Sequence, residues 1–485
     1  MRRRSFLTGS LTTLALPACA NAPETSARPV FKPDDALARS APAAERLIAE
    51  ANLGGRVGFV VADARTGQVL ETSNPIRPLP PASVAKSVTG LYALETLGPT
   101  HRFATRLVAT GPIQNGRLNG DLILVGGGDP ALDSDGLHDL AAQAKSAGVR
   151  EIGGRLLVFD GALPQIDRID RSQPEHVGYN PAVSGLNLNF NRVHFQWKRA
   201  GGSYQISMDA RTGRFRPDVG TARMRVADRS LPVYTYARDG NIDSWTVARR
   251  QLGNSGSRWL PVRNPALYAG DVMRTMLRTN GIVARTAERT TSVPAGTEIA
   301  RVESAALDRI VRSMLKFSTN LTAEVLGLSS SLARGINVGD LNASGDLMAS
   351  WVASRAGARR ADFDDHSGLN GTTRVSAADM VSLLTADGAL NRIRPLMKEI
   401  TIDGDVKIPV QAKTGTLNFV SGLAGYFNAR DGRTLAFATF CADVDRRNRL
   451  TVGQRERPEG GRAWGRRARS LQFDLIERWS LVHTG

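Results

Sequence analysis

The chain has 485 residues, 41% hydrophobic and 22% charged, which is enough for two or three domains with ordinary soluble cores. Its formal charge of +17 rests on arginine, since only eight of its 63 basic residues are lysine. Such a charge suits nucleic acid, anionic lipid or anionic wall polymer. No compact basic run reads as a DNA-binding element. "RRNR" and "GRRARS" near the C-terminus are short, mixed with acids, and read as a solvated arginine-biased surface.

Residues 1–22, "MRRRSFLTGSLTTLALPACANA", combine a basic start, a short apolar run and small residues at cleavage spacing, so they read as an export signal peptide. Arg3, Arg4, Phe6 and Leu7 follow the twin-arginine pattern, with an arginine-rich Sec signal as the alternative. Cys19 invites a lipid anchor, which Pro17 fits poorly. A periplasmic or otherwise exported protein follows, soluble or held peripherally at a membrane. Residues 23–43 form a Pro/Ala-rich linker. "AAERLIAEANLGG" then reads as a short helix closed by Gly54, and "RVGFVVADARTGQVLETS" as two strands joined around Arg65-Thr66-Gly67.

Apolar residues at helical spacing in "SVAKSVTGLYALETLGP" predict a helix opened near Ser83 and ended by Gly98-Pro99. Residues 101–289 break into short alternating runs such as "GDLILVGGG" and "RVHFQW", a strand-rich region with little long helix. Helices return from about residue 262, and the chain ends in three strands and a helix. The fold class is α/β of the α+β kind: residues 44–100 and 290–485 form one domain, with a β-rich insertion at 101–289. Cys441, mid-strand in "TLAFATFCADV", reads as a buried structural thiol.

Ser83 and Lys86 lie one helical turn apart and share a face. A serine needs an adjacent base to become a nucleophile, and a lysine serves only when it spends time neutral. Arginine cannot lose its proton, so a chain so rich in arginine would have to keep lysine here. Alone, the pair reads equally as a helix cap followed by a solvated lysine, and Ser313 and Lys316 repeat the spacing. Two further patterns accompany it. "FSTNLTAE" sets Ser318 and Asn320 between two helices, and "QAKTGTL" ends a strand with Lys413-Thr414-Gly415 and Thr416. Asp129 in "GGGDP" reads as a turn or capping residue, and His366 in "DDHSGLN" as a loop histidine facing solvent, with a place near the site as the alternative. The six histidines show no metal-ligand spacing, and no cofactor is implied.

Ser-x-x-Lys, Ser-x-Asn and Lys-Thr-Gly, in that order, resemble the penicilloyl-serine transferases. The separation of 235 positions from Ser83 to Ser318, with "GDLILVGGGDPAL", "SGLNLNFNRV", "DDHSGLNGTTRVS" and "AKTGTLNFVSGLAGYF", is similar to the class C low-molecular-mass penicillin-binding proteins from about residue 40 onward. These are the D-alanyl-D-alanine carboxypeptidase/endopeptidases. The resemblance implies a β-lactamase/transpeptidase-like antiparallel sheet flanked by helices, and a serine D,D-peptidase that β-lactams inhibit. Its partners would be peptidoglycan stem peptides, not nucleic acid. It implies that Ser83 attacks the carbonyl between two D-alanines and Lys86 takes its proton. Ser318 relays a proton to the leaving amine, and Asn320 bonds the acyl chain. Lys413 holds the substrate carboxylate and helps keep Lys86 neutral, Thr414 and Thr416 bind that carboxylate, and Gly415 lies between them. The backbone N–H groups of Ser83 and Thr416 would form the oxyanion hole.

The chain departs from the family in carrying Thr319 where Asp is usual, and in reading Cys441-Ala442-Asp443 where an asparagine is expected nearby. A serine β-lactamase is the nearest rival, but it needs a carboxylate and water to clear its acyl-enzyme, and its motif gap is shorter. A non-catalytic wall-binding protein would be expected to lose the nucleophile. The export signal disfavours a nucleic-acid binder.

Overall fold

The computed structural model describes residues 41–403 and 407–483. The expected signal peptide, Cys19 and the linker up to residue 40 lie outside the described residues.

Six antiparallel strands make the principal sheet: β1 (Arg56–Asp63), β2 (Val69–Ser73), β3 (Lys398–Ile402), β4 (Ile408–Leu417), β5 (Val420–Asn428) and β6 (Thr434–Ala442). Their spatial order is β3-β4-β5-β6-β1-β2, so the first strand lies beside the last. Both faces of the sheet are covered, which is why β1, β5 and β6 are near-continuous apolar runs rather than alternating ones. On one face, α1 (Ala44–Ala51) and the C-terminal helix pack over Phe59, Val61, Phe427, Phe437 and Cys441. Trp479 meets Phe59 at 5.3 Å between ring centroids. On the other face, Val60, Ala62, Tyr426, Ala438 and Phe440 meet the helical layer that carries α2 (Ala85–Leu97), α3 (Leu307–Phe317), α4 (Asn320–Ala333), α5 (Leu341–Ala356) and α6 (Ala377–Thr385). The C-terminal helix, α7, is Gly461–Val482. Its Trp464 indole donates to the Leu53 carbonyl at 2.7 Å, tying the two ends of the described chain together.

Between α2 and α3 the chain builds a second body around its own core. A five-stranded mixed sheet runs 287–290, 156–159, 122–126, 104–109, 297–303, and two three-stranded sheets use residues 192–261. Strand Thr297–Glu303 pairs with Ala104–Ala109, so the inserted sheet runs past the expected boundary at residue 290. The region is also less purely β than its short runs suggest. Asp133 caps a 13-residue helix, Ser134–Ser146, by accepting from Gly136 N, and that helix packs onto the five-stranded sheet. Helix α1 stops at Ala51 with Asn52 in the left-handed region, two residues before the expected Gly54.

Candidate active site

Ser83 sits in a single 3-10 turn, Ala82–Val84, that feeds directly into α2. The turn is held under constraint. Ala82 adopts φ +48°, a left-handed conformation costing an alanine about 1–2 kcal/mol, and its neighbours leave it no room to relax. A Cβ on Gly415 would stand 2.4 Å from the Pro81 carbonyl oxygen, and one on Gly368 would stand 1.9 Å from the Ala82 carbonyl oxygen. Both positions need glycine because strand β4 and the 365–370 loop press onto the backbone of this turn.

Lys86 is fully buried in the first turn of α2. Its Nζ lies 2.9 Å from Ser83 Oγ, 2.7 Å from Asn320 Oδ1 and 2.8 Å from the Ser367 carbonyl oxygen. The Asn320 amide is oriented by its other end, since Nδ2 donates to the Tyr179 carbonyl at 2.8 Å. Asn320 Oδ1 and the Ser367 carbonyl can therefore only accept. A neutral amine has two N–H groups and one lone pair; once the two acceptors take the N–H groups, the lone pair points at Ser83 Oγ. The arrangement orients Lys86 as a base toward that hydroxyl.

Burial pushes the Lys86 amine down to about 8, against an opposing pull from the Asp365 and Glu324 carboxylates. Burial likewise lowers Lys413 to about 7, reinforced by the charges of Lys86 and Lys398. The expectation is that burial lowers Lys86 with Lys413 helping; dehydration is the largest cause, and the charges acting on Lys86 are the acids Asp365 and Glu324, which raise it. Glu324 is fully buried; its carboxylate accepts from His366 N at 2.9 Å and Ser367 N at 3.0 Å, and burial raises it to about 8. Asp365, also buried, accepts from Gly368 N at 2.6 Å and Asn370 N at 2.7 Å. These two acids shape the loop whose Ser367 carbonyl holds Lys86.

Ser318 caps α3 with φ +59°, and Thr319 starts α4, so this pair of residues makes the sharp turn that brings Asn320 to Lys86. Thr319 Oγ1 donates to Thr322 Oγ1 at 2.9 Å, so the hydroxyl in place of the usual Asp closes the first turn of α4 on itself. Strand β4 pairs with β3 only as far as Lys398↔Ala412, leaving residues 413–417 with one free edge. Thr414 and Thr416 are exposed on that segment, while Lys413 is 2% exposed and its Nζ donates to the Thr414 carbonyl at 2.7 Å. A cavity of about 1130 Å³ opens over Ser83, Ser318, Asn320 and Thr416, with the two lysines behind its wall.

The remaining expectations divide. Asp129 is a turn residue accepting from Ala131 N at 2.8 Å, and burial raises it to about 6. Cys441 is buried in β6, and dehydration raises its thiol to about 12. His366 does not face solvent: it is fully buried, with Nε2 2.8 Å from Ser344 Oγ, because the loop folds inward under α4 and α5. Ser313 and Lys316 lie on the exposed side of α3. Sequence reasoning missed Glu324 and Asp365. The signal was present, since a glutamate among the apolar residues of "NLTAEVLGL" has to be buried by helical spacing.

Comparison with known proteins locates this arrangement. The fold is that of penicillin-binding protein structures. The crystal structure of penicillin binding protein 4 (dacB) from Haemophilus influenzae covers 91% of this chain and 99% of its own, with TM-score 0.74 and 22% identity. A β-lactam complex of that protein aligns with TM-score 0.67 over 83% of this chain and 93% of its own, at 21% identity. Among sequences, a D-alanyl-D-alanine carboxypeptidase of Actinomadura sp. (strain R39) is 28% identical over 427 residues, 79% of this chain and 77% of that one. The D-alanyl-D-alanine carboxypeptidase DacB of Haemophilus influenzae is 27% identical over 419 residues, 80% and 85%. The D-Ala-D-Ala carboxypeptidase 3 (S13) family matches residues 41–455, and the chain belongs to that family.

Proposed function

We propose that this chain is a serine D,D-peptidase of peptidoglycan that works through an ester on Ser83. The observation that carries the reading is the orientation of Lys86, whose two carbonyl acceptors leave its lone pair for the Ser83 hydroxyl. Lys86 takes the Ser83 proton as Oγ attacks the carbonyl of the penultimate D-alanine. The oxyanion rests on the N–H groups of Ser83 and Thr416. The proton passes through Ser318 to the departing amine, the C–N bond breaks, and water then hydrolyses the ester. Thr414 and Thr416 hold the terminal carboxylate, and Lys413 supplies positive charge to it from behind the cavity wall. A β-lactam forms the same ester, but its ring nitrogen stays tethered and blocks water.

The acyl part of a peptide lies along the free edge of residues 413–417. Asn320 supports the base by accepting from Lys86. The same chemistry serves D-Ala-D-Ala ends and D-Ala cross-links to a diamino acid. Glu324 and Asp365 are buried and engaged with backbone, and Glu456 is paired with His176 and Arg258, which leaves no free carboxylate among the described residues of the site to clear the ester quickly, as a β-lactamase requires. The N-terminal signal reading supports export across the cytoplasmic membrane, and no described helix is long and apolar enough to cross a membrane. Mass spectrometry after incubation with penicillin should show one adduct, on Ser83, persisting for minutes or longer, and digested muropeptides should lose D-alanine. An adduct elsewhere, or none, overturns the reading; rapid release of penicilloate would favour the β-lactamase.

A further inference from the structure

Residues 446–469 hold nine arginines against two glutamates, +7 of the chain's +17 within 24 residues. Read as sequence, they are solvated surface. In the fold, Arg447, Arg455, Arg457, Arg462, Arg466 and Arg469 line one side of the cavity that Ser83 opens into. The one acid among the described lining residues, Glu456, is already engaged by His176 at 2.8 Å and Arg258 at 2.9 Å.

Three observations set this wall apart from an ordinary basic surface. Arg462, Arg466 and Arg469 recur at i, i+4 and i+7 in the opening turns of α7, where the helix dipole is positive and cations are disfavoured. No acid offsets them in that first turn. A local rule broken without structural gain points to function. Arg447 is only 6% exposed, yet the single hydrogen bond of its guanidinium among the described residues is a long one, 3.4 Å to the Asn418 carbonyl. Arg455 buries an Nε with no partner, although its Nη1 reaches the Ser172 carbonyl at 2.9 Å. Guanidinium groups left short of acceptors inside a cavity fit planar anions, above all carboxylates.

We propose that this arginine wall is a docking surface for polymeric peptidoglycan, taking ionised carboxylates of the strand that flanks the stem peptide being cleaved. The inference rests on the peptidase reading above. The wall and Ser83 share one cavity, so a chain bound to the arginines is continuous with the group presented to Ser83. A bilayer surface cannot enter such a recess. A single terminal carboxylate leaves most of this charge unanswered, whereas a polymer bearing a carboxylate on each stem does not. Attraction of this kind is collective, long in range and screened by salt.

The test compares the full-length protein with R462Q/R466Q/R469Q on two substrates, purified peptidoglycan sacculi and a short peptide ending in D-Ala-D-Ala with no other carboxylate. At about 20 mM salt the ratio of sacculus rate to short-peptide rate should fall about tenfold in the variant. Raising salt to about 300 mM should produce a similar fall in the wild type and little in the variant. An unchanged ratio in the variant, or tighter binding of the wild type to duplex DNA or to vesicles of anionic phospholipid than to sacculi, overturns the proposal. Should penicillin fail to label Ser83, the peptidase reading falls by itself. Co-sedimentation with sacculi then reads the wall alone: weaker binding by the variant sustains it, and equal binding removes it.

Discussion

Two serine-lysine pairs of identical spacing lie in this chain, and only their surroundings separate them. Ser313 and Lys316 stand on the solvent side of α3, where the Lys316 ammonium lies 5.3 Å from the centre of the Phe317 ring and meets water. Ser83 and Lys86 open a helix wedged between the sheet and the helical layer, and Lys86 is surrounded by Asn320, Ser367, Glu324 and Asp365, all from sequence at least 234 residues away. Spacing puts two side chains on one face. Chemistry begins only when distant chain removes water from them and leaves one hydrogen bond unassigned.

The sharpest way to break the comparison is to exchange both lysines in turn. Lys86→Arg should slow penicillin acylation about a thousandfold, because arginine keeps its proton, while Lys316→Arg should leave the rate within about twofold. Stopped-flow labelling with a fluorescent penicillin measures both; equal effects would reduce Ser83 and Lys86 to an ordinary helix start. Lys413→Met comes next. Its amine is dehydrated beside two other cations, with no acid among the causes acting on it, so removing the charge should stabilise the fold. Here the folded value, about 7, lies below the ordinary value, so the unfolded chain binds the extra proton between about 7 and 10.5. Wild-type stability therefore rises with pH across that window. The advantage of the variant, on the order of 2 kcal/mol, should be full below pH 7 and vanish near 10.5, as read by urea unfolding at several pH values. A variant that is less stable at pH 6 would show that Lys413 is held by more than the Thr414 carbonyl, with an acid offsetting its charge. The smallest effect is expected from Glu324→Gln. One amide oxygen replaces two acceptors for His366 N and Ser367 N, and a charge that raises Lys86 is lost, while Asp365 still opposes and Lys413 still lacks an acid. The acid limb of the acylation profile, set by Lys86 near 8, should move to lower pH by up to about one unit. An unmoved limb would mean that Glu324 only props the loop.

Most of the central sheet could be read from sequence, because β1, β5 and β6 are unbroken apolar runs between turn residues. The three motifs were equally visible, and folding brings Ser83, Lys86 and Asn320 within hydrogen-bonding reach. What sequence concealed was relational. Helix Ser134–Ser146 is packed onto the inserted sheet although its surroundings read as strands. His366 reads as a loop residue because nothing near it in sequence shows that the loop turns inward beneath α4 and α5. Glu324 and Asp365 carry no motif spacing with Lys86, and only the fold makes them neighbours. The arginines of the C-terminal segment read as surface for the same reason.

The placement of β1 between β6 and β2 has a consequence for when activity appears. The strand that precedes the nucleophile is synthesised long before its neighbour Thr434–Ala442. Until that partner docks, the turn at residues 82–84 has no β4 or β5 pressed against it. A polypeptide not yet extended through Thr434–Ala442 therefore lacks the closed sheet that shapes its nucleophile turn, and the active arrangement waits on the last strand.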